Sequence, residues 1–262
     1  MKIAVCQMPI VQGDREKNRK TAEQMLTEAA KCGANVIALP EMWTSGYDFQ
    51  NLSLHEESLN GETALFLSAQ AKKFGVWLIG GSHPVRYPDG VRNTSLTFDP
   101  NGTLQNTYSK IHLIGLMNED KYLVPGDHFD VFSLGGESAA VEICYDVRFT
   151  ELSRSYALMG AKILFIPAEF PVQREDHWVT LLRARAIENQ MYVVGINAVG
   201  KNDNDTFKGK SMIIDPWGQT LAVGCDSREI LTADVDLSNV SEIRQMIPVF
   251  KDRKPEYYKI DK

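Results

Sequence analysis

Two kinds of apolar pattern alternate along the chain. Short runs rich in Val, Ile, Leu and Ala recur at KIAVCQM (2–8), NVIALP (35–40), VWLIGGS (76–82), SAAVEIC (138–144), AKILFIP (161–167) and MYVVGIN (191–197). Their length, their β-branched content and the breakers around them predict buried strands. Between these runs, apolar residues return every three or four positions. Ala22, Met25, Leu26, Ala29 and Ala30 do so between Asp14 and Gly33, and Ala64, Leu67, Ala71 and Phe74 between Gly61 and Gly75. Trp178, Leu181, Leu182 and Ala186 mark a helix over 174–190, and another is expected near FTELSRSYALMG. These are helices with one face turned inward.

Turn signatures complete the pattern. RNTSLTFD and TLQNTYSK flank Pro100-Asn101-Gly102 and predict a hairpin. Two strands are expected around Asp215-Pro216-Trp217-Gly218, a last one at EILTADVD, and a short helix from Ser238. Residues 111–130 read as a loop. The charged tail from Phe250 is expected to lie on a surface or a partner. Strand–helix alternation predicts a layered α/β fold, and the hairpins predict mixed sheets. No low-complexity linker divides the chain, so one domain over 1–262 is expected. Strand order does not follow from pattern alone.

Charge then narrows the function. Lys and Arg number 28 against 34 Asp and Glu, a net charge of −6, which argues against a basic nucleic-acid face. No apolar stretch approaches the roughly 20 residues of a membrane span, and the polar turn after residue 10 does not resemble a secretory leader. The expectation is a cytoplasmic protein without nucleic-acid or membrane partners. Its four cysteines, Cys6, Cys32, Cys144 and Cys225, include no C-x-x-C pair. Cys6 and Cys32 fall in strand and helix patterns and read as packing residues, whereas Cys225 lies beside a turn. The five histidines are scattered without a metal-binding spacing, and neither G-x-x-x-x-G-K-[ST], G-x-G-x-x-G nor G-x-S-x-G occurs. A cysteine is left as the best nucleophile candidate, with no cofactor or metal required.

Glu41 follows NVIALP, Lys110 follows TLQNTYS, and Cys144 ends SAAVEI. Ligands gather at the carboxyl ends of strands in open α/β sheets, so these three side chains could converge there. The chemistry suits them. A cation and a helix start would lower the thiol pKa. Lys110 and the Tyr145 backbone N–H could hold an oxyanion, and Glu41 could move protons. On spacing alone a plainer alternative stays open for each: a core thiol, a helix cap, a solvated lysine. Arg148, four residues after Cys144, could meet a substrate carboxylate bidentately, or could instead pair with Glu151 or a buried acid. Tyr47, Phe170 and Trp178 are candidate pocket walls.

LPEMWTSGYD around Glu41, YSKIHL around Lys110 and EICYDVRFTEL around Cys144 resemble the three signature segments of the nitrilase superfamily, the carbon–nitrogen hydrolases. The similarity extends to KIAVCQMPI, GGSHP, PGD, HWVTLLRARAIENQMYVVGIN and DPWG. It implies a four-layer αββα sandwich, a Glu41–Lys110–Cys144 triad, and a homodimer formed through helices at 149–160 and 176–190. It also implies a second glutamate near the nucleophile, best matched by Glu119, with Asp120 adjacent. CYDVRF and EIRQMIPVFKDRKPEYY look most like omega-amidases, which hydrolyse the side-chain amide of 2-oxoglutaramate or 2-oxosuccinamate. The resemblance thus implies a small amide substrate carrying a carboxylate. Other branches (nitrilase, carbamoylase, deaminated-glutathione amidase) and a noncatalytic scaffold are the alternatives.

Overall fold

The computed structural model describes residues 1–202 and 204–258. Two mixed sheets face each other. In the first, strand order runs Glu229–Asp234, Lys2–Gln7, Val36–Ala38, Trp77–Ile79, Gly90–Phe98 and His83–Tyr87, and Leu104–Ser109 also pairs with Gly90–Phe98. In the second, it runs Thr220–Val223, Met212–Ile214, Tyr192–Asn197, Ile163–Ala168, Glu137–Val141 and Phe132–Leu134. Both sheets have a parallel centre of three strands and antiparallel edges. Each parallel pair is joined by a helix crossover, and each antiparallel edge by a turn or a longer excursion.

The period-two alternation of side chains explains the layers. On the strand Lys2–Gln7, Ile3 and Val5 join a core that holds Val36, Ala38, Ala139 and Val141, so they face the other sheet. Ala4 and Cys6 turn the opposite way and pack with Ala22, Met25, Leu26 and Ala29 of the helix Arg15–Lys31 and with Leu67 and Ala71 of Glu62–Phe74. Tyr156 of the helix Thr150–Leu158 and Trp178, Leu182 and Ala186 of Glu175–Asn189 cover the second sheet. The result is helix, sheet, sheet, helix.

Several elements depart from the pattern reading. The region 111–130 contains a single-turn 3₁₀ segment, Gly115–Met117, and a one-turn helix, Glu119–Tyr122, both too short to show periodicity. The strand His83–Tyr87 is hidden in the sequence by Pro84, which an edge strand tolerates because its outer neighbour is the isolated Glu57, which donates to the Pro84 carbonyl and needs no N–H from it. Cys32 is exposed at the end of its helix and does not belong to the core; Cys225 is exposed too. The tail folds as a short helix, Val249–Asp252, with Phe250 under the guanidinium groups of Arg154 and Arg244. Residues 259–262 of that tail lie outside the described residues.

Candidate active site

Glu41 stands three residues beyond the strand Val36–Ala38. The turn that carries it is tight. Met42 takes a left-handed φ of 45°, and its N–H donates to Ser82 Oγ at 2.9 Å. Gly81 packs so closely beneath that a Cβ there would lie 2.0 Å from the Pro40 carbonyl oxygen. Only glycine fits that approach. Lys110 follows the strand Leu104–Ser109, its N–H donating to the Asn93 carbonyl at 2.9 Å and its carbonyl accepting from Gly126 N–H at 2.8 Å.

Cys144 does not end its strand, which stops at Val141; it opens a five-residue 3₁₀ segment, Cys144–Arg148. Its φ of +47° is a region that costs a non-glycine residue about 1–3 kcal/mol and clusters at functional sites. Asp146 holds the segment in place. One carboxylate oxygen accepts from Tyr108 O–H at 2.7 Å and Ile143 N–H at 3.0 Å, and the other from His112 N–H at 2.9 Å. The Cys144 turn and the Lys110 loop are thereby tied together.

The structure brings Glu41, Lys110, Glu119 and Cys144 into one buried cluster. Lys110 Nζ donates to Glu41 Oε1 at 2.9 Å and to Glu119 Oε1 at 2.7 Å, and all three side chains are fully buried. Glu119, rather than the exposed Asp120, makes this contact. Its second oxygen accepts from Ile114 N–H at 2.8 Å. Burial pulls the Lys110 ammonium down, but Glu119 and Glu41 outweigh it and hold the pKa well above the usual lysine range. Burial, reinforced by Glu41 against the opposing pull of Lys110, pushes the Glu119 carboxyl up.

The thiol corrects a sequence expectation. A helix start and a cation predict a lowered pKa. Burial and then the neighbouring Glu41 carboxylate push Cys144 well above the usual thiol range, and Lys110 does not reverse this. Cys144 therefore rests as a thiol beside an acceptor for its proton.

Two residues that sequence reasoning missed complete the shell. Asn93 Nδ2 donates to Glu41 Oε1, and the Glu169 N–H donates to Glu41 Oε2, each at 2.9 Å. Asn93 is invisible to pattern because it lies inside the strand Gly90–Phe98. Glu169 follows the strand Ile163–Ala168 directly, so the strand-end rule that selects Glu41 and Lys110 also selects it.

Tyr47 reaches the cluster. Its buried O–H has no partner among the described residues, and burial followed by Glu119, Glu41, Cys144 and Glu169 raises its pKa. Tyr47 also lines an open cleft of about 690 Å³, with Asn51, Met117, Asn118, Tyr122 and Asp205. Phe170 is buried against Trp178, with ring centroids 5.1 Å apart. The Arg148 guanidinium lies 5.4 Å from the Phe170 ring centroid, and its Nη2 is 3.2 Å from His177 Nδ1. It makes no ion pair with Glu151 or any other acid among the described residues.

Two facing mixed sheets between helices, with a buried Glu–Lys–Glu–Cys cluster beyond the strand ends, are the frame of a carbon–nitrogen hydrolase, and this chain belongs to that family: the family's sequence profile, Carbon-nitrogen hydrolase, matches residues 2–245. The chain is 41% identical over 256 residues to 2-oxoglutaramate amidase from Bacillus subtilis (strain 168), covering 98% of each chain. It is 36% identical over 257 residues to omega-amidase NIT2 from Mus musculus, covering 94% of this chain and 93% of the relative. Among solved structures, the carbon-nitrogen hydrolase from Helicobacter pylori G27 superposes with a TM-score of 0.91 at 28% identity, over 98% of this chain and 96% of that one. The protein is an enzyme that hydrolyses carbon–nitrogen bonds of amides. No helix among the described residues is long and apolar enough to cross a membrane.

Proposed function

We propose that this protein is an omega-amidase of the 2-oxoglutaramate type that works through a thioester on Cys144. The observation that carries the mechanism is the Lys110 ammonium. It has three N–H donors, and Glu41 and Glu119 take two. The third has no partner among the described residues and can donate to an oxyanion. As the Cys144 sulfur attacks the amide carbon, its proton passes to Glu41. Lys110 and the Tyr145 N–H hold the negative oxygen. Glu41 then protonates the leaving ammonia, and a water activated by Glu41 hydrolyses the thioester. Glu119 orients Lys110. No step requires a cofactor.

The keto-acid amide substrate is favoured by the full-length similarity to a 2-oxoglutaramate amidase and an omega-amidase. Arg148 supports it from the site: its guanidinium has no carboxylate partner among the described residues, which leaves its charge for the substrate's carboxylate. Tyr47 and Phe170 act as pocket walls. Ammonia release from an amide panel, with Cys144→Ala as control, tests this reading. The expected result is preference for 2-oxoglutaramate over neutral amides of similar length. A reversed preference favours another branch of the family, and no release from any amide sinks the proposal.

The active unit we infer is a homodimer. Leu158 and Met159 at the end of one outer helix, Ile187 on the other and Trp217 in a nearby turn are 44–51% exposed on the outer layer of the second sheet. A second copy would cover them. Sedimentation should give about twice the chain's 29.4 kDa, and Ile187→Glu should shift the protein toward monomer. A monomer at micromolar concentration contradicts it.

A further inference from the structure

Glu169 is the one acid of the cluster that the proposed steps do not use. Its residue is 1% exposed, and its Oε2 atom is buried with no partner among the described residues. Its backbone N–H is committed to Glu41 Oε2, which fixes where the side chain starts. The groups whose charges act on it are Glu41, Lys110 and Glu119 of the reacting cluster, together with Asp205 of the open cleft. Tyr47 feels its charge in turn. Glu169 is thus in electrostatic reach of the Glu41–Lys110–Glu119 cluster and of Asp205 on the wall of the open cleft.

A carboxylate in that position would be costly. Its Oε2 is out of water and has no donor among the described residues, and Glu41 is a neighbour of the same sign. Burial and then Glu41 push its pKa well above the usual carboxylate range, with Lys110 too weak an opponent. The un-ionised carboxyl has one O–H to donate, and a buried donor without an acceptor carries a penalty of about 1–3 kcal/mol. A ligand oxygen placed there removes that penalty.

We propose that Glu169 is a specificity-determining residue, whose un-ionised carboxyl donates its O–H to an oxygen of the substrate's 2-oxo acid end. The inference rests on the omega-amidase reading and extends it. Arg148 meets the substrate's negative charge, and Glu169 recognises the keto acid as a hydrogen-bond acceptor. A neutral donor suits an anionic ligand beside Glu41, because an ionised Glu169 would repel it. Affinity for the keto acid should therefore fall as Glu169 ionises at alkaline pH.

The test compares the parent with Glu169→Ala and Glu169→Gln on 2-oxoglutaramate and on pentanamide, which has neither the oxo group nor the carboxylate. Glu169→Ala should raise KM for 2-oxoglutaramate about tenfold or more, the effect of one lost hydrogen bond, with a change in kcat below about threefold. Its KM for pentanamide should move less than about threefold. Glu169→Gln, neutral at every pH and still a donor, should bring KM for the keto-acid amide back to within about threefold of the parent. It should also lose the parent's alkaline rise in KM. Equal losses on both amides would place Glu169 at the scissile bond or in the scaffold and overturn the proposal. A Glu169→Gln variant as poor as Glu169→Ala would overturn it too. Failure of the omega-amidase reading looks different: a parent that hydrolyses pentanamide and ignores 2-oxoglutaramate. Direct binding of 2-oxoglutarate to Cys144→Ala, with and without Glu169→Ala, keeps the test decisive if turnover is slow. An unchanged Kd there contradicts the role.

Discussion

Glu41 shows how little freedom each atom of the cluster has. Its Oε1 accepts from Lys110 and Asn93, and its Oε2 from the Glu169 N–H, so the carboxylate is held on three sides and faces Cys144 on the remaining one. A proton-transfer group positioned by its surroundings loses little entropy at the moment of reaction. Glu142, two residues before Cys144, follows a different logic. It is fully buried, accepts from Ser153 Oγ at 2.9 Å, and leaves Oε1 without a partner among the described residues. Burial, with Asp146 adding to it, pushes its pKa from 4.5 up to about 8. A raised carboxyl pKa means the folded state binds more protons than the unfolded chain between those values. Its contribution to stability is therefore complete below about 4.5 and is lost as pH climbs to about 8. Glu142→Gln should melt increasingly above the parent from pH 5 to pH 8, with a constant gap beyond. Parallel melting curves across that range would show that Glu142 ionises freely in the folded protein.

Strands carried most of the information legible in the sequence. Their apolar runs located the two parallel centres, and the positions just past them located Glu41 and Lys110. What pattern could not supply was depth. Cys144 looked like a strand end before a helix, a place that lowers a thiol pKa. The strand stops at Val141, the residue opens a single 3₁₀ segment, and burial beside Glu41 raises the pKa instead. Short elements escaped for a related reason. Glu119–Tyr122 is one turn long, and Phe132–Leu134 is three residues, so neither repeats its period often enough to show a pattern. Asn93 was hidden because a polar residue on the inner face of a strand breaks alternation only locally, and its partner lies 52 residues away. Cys32 followed a helical pattern inward but falls at the helix end, where the face is already open to water.

At the scale of the whole molecule, the net charge of −6 sets a problem for an anionic substrate. The general field repels it, so recognition has to be local. We propose a local answer in Arg148, which has no acid partner among the described residues, and in Glu169, whose Oε2 has no partner among them. The central claim is that an acyl group passes through that sulfur. Hydroxylamine, a better nucleophile than water, intercepts a thioester. In its presence, glutaramate, the same amide without the oxo group that hydroxylamine would convert to an oxime, should yield hydroxamate at the expense of the free acid, with ammonia release no slower. Both activities should fall by about 10³-fold or more in Cys144→Ala. Free acid as the sole product at saturating hydroxylamine, or ammonia release that survives Cys144→Ala, would contradict the account.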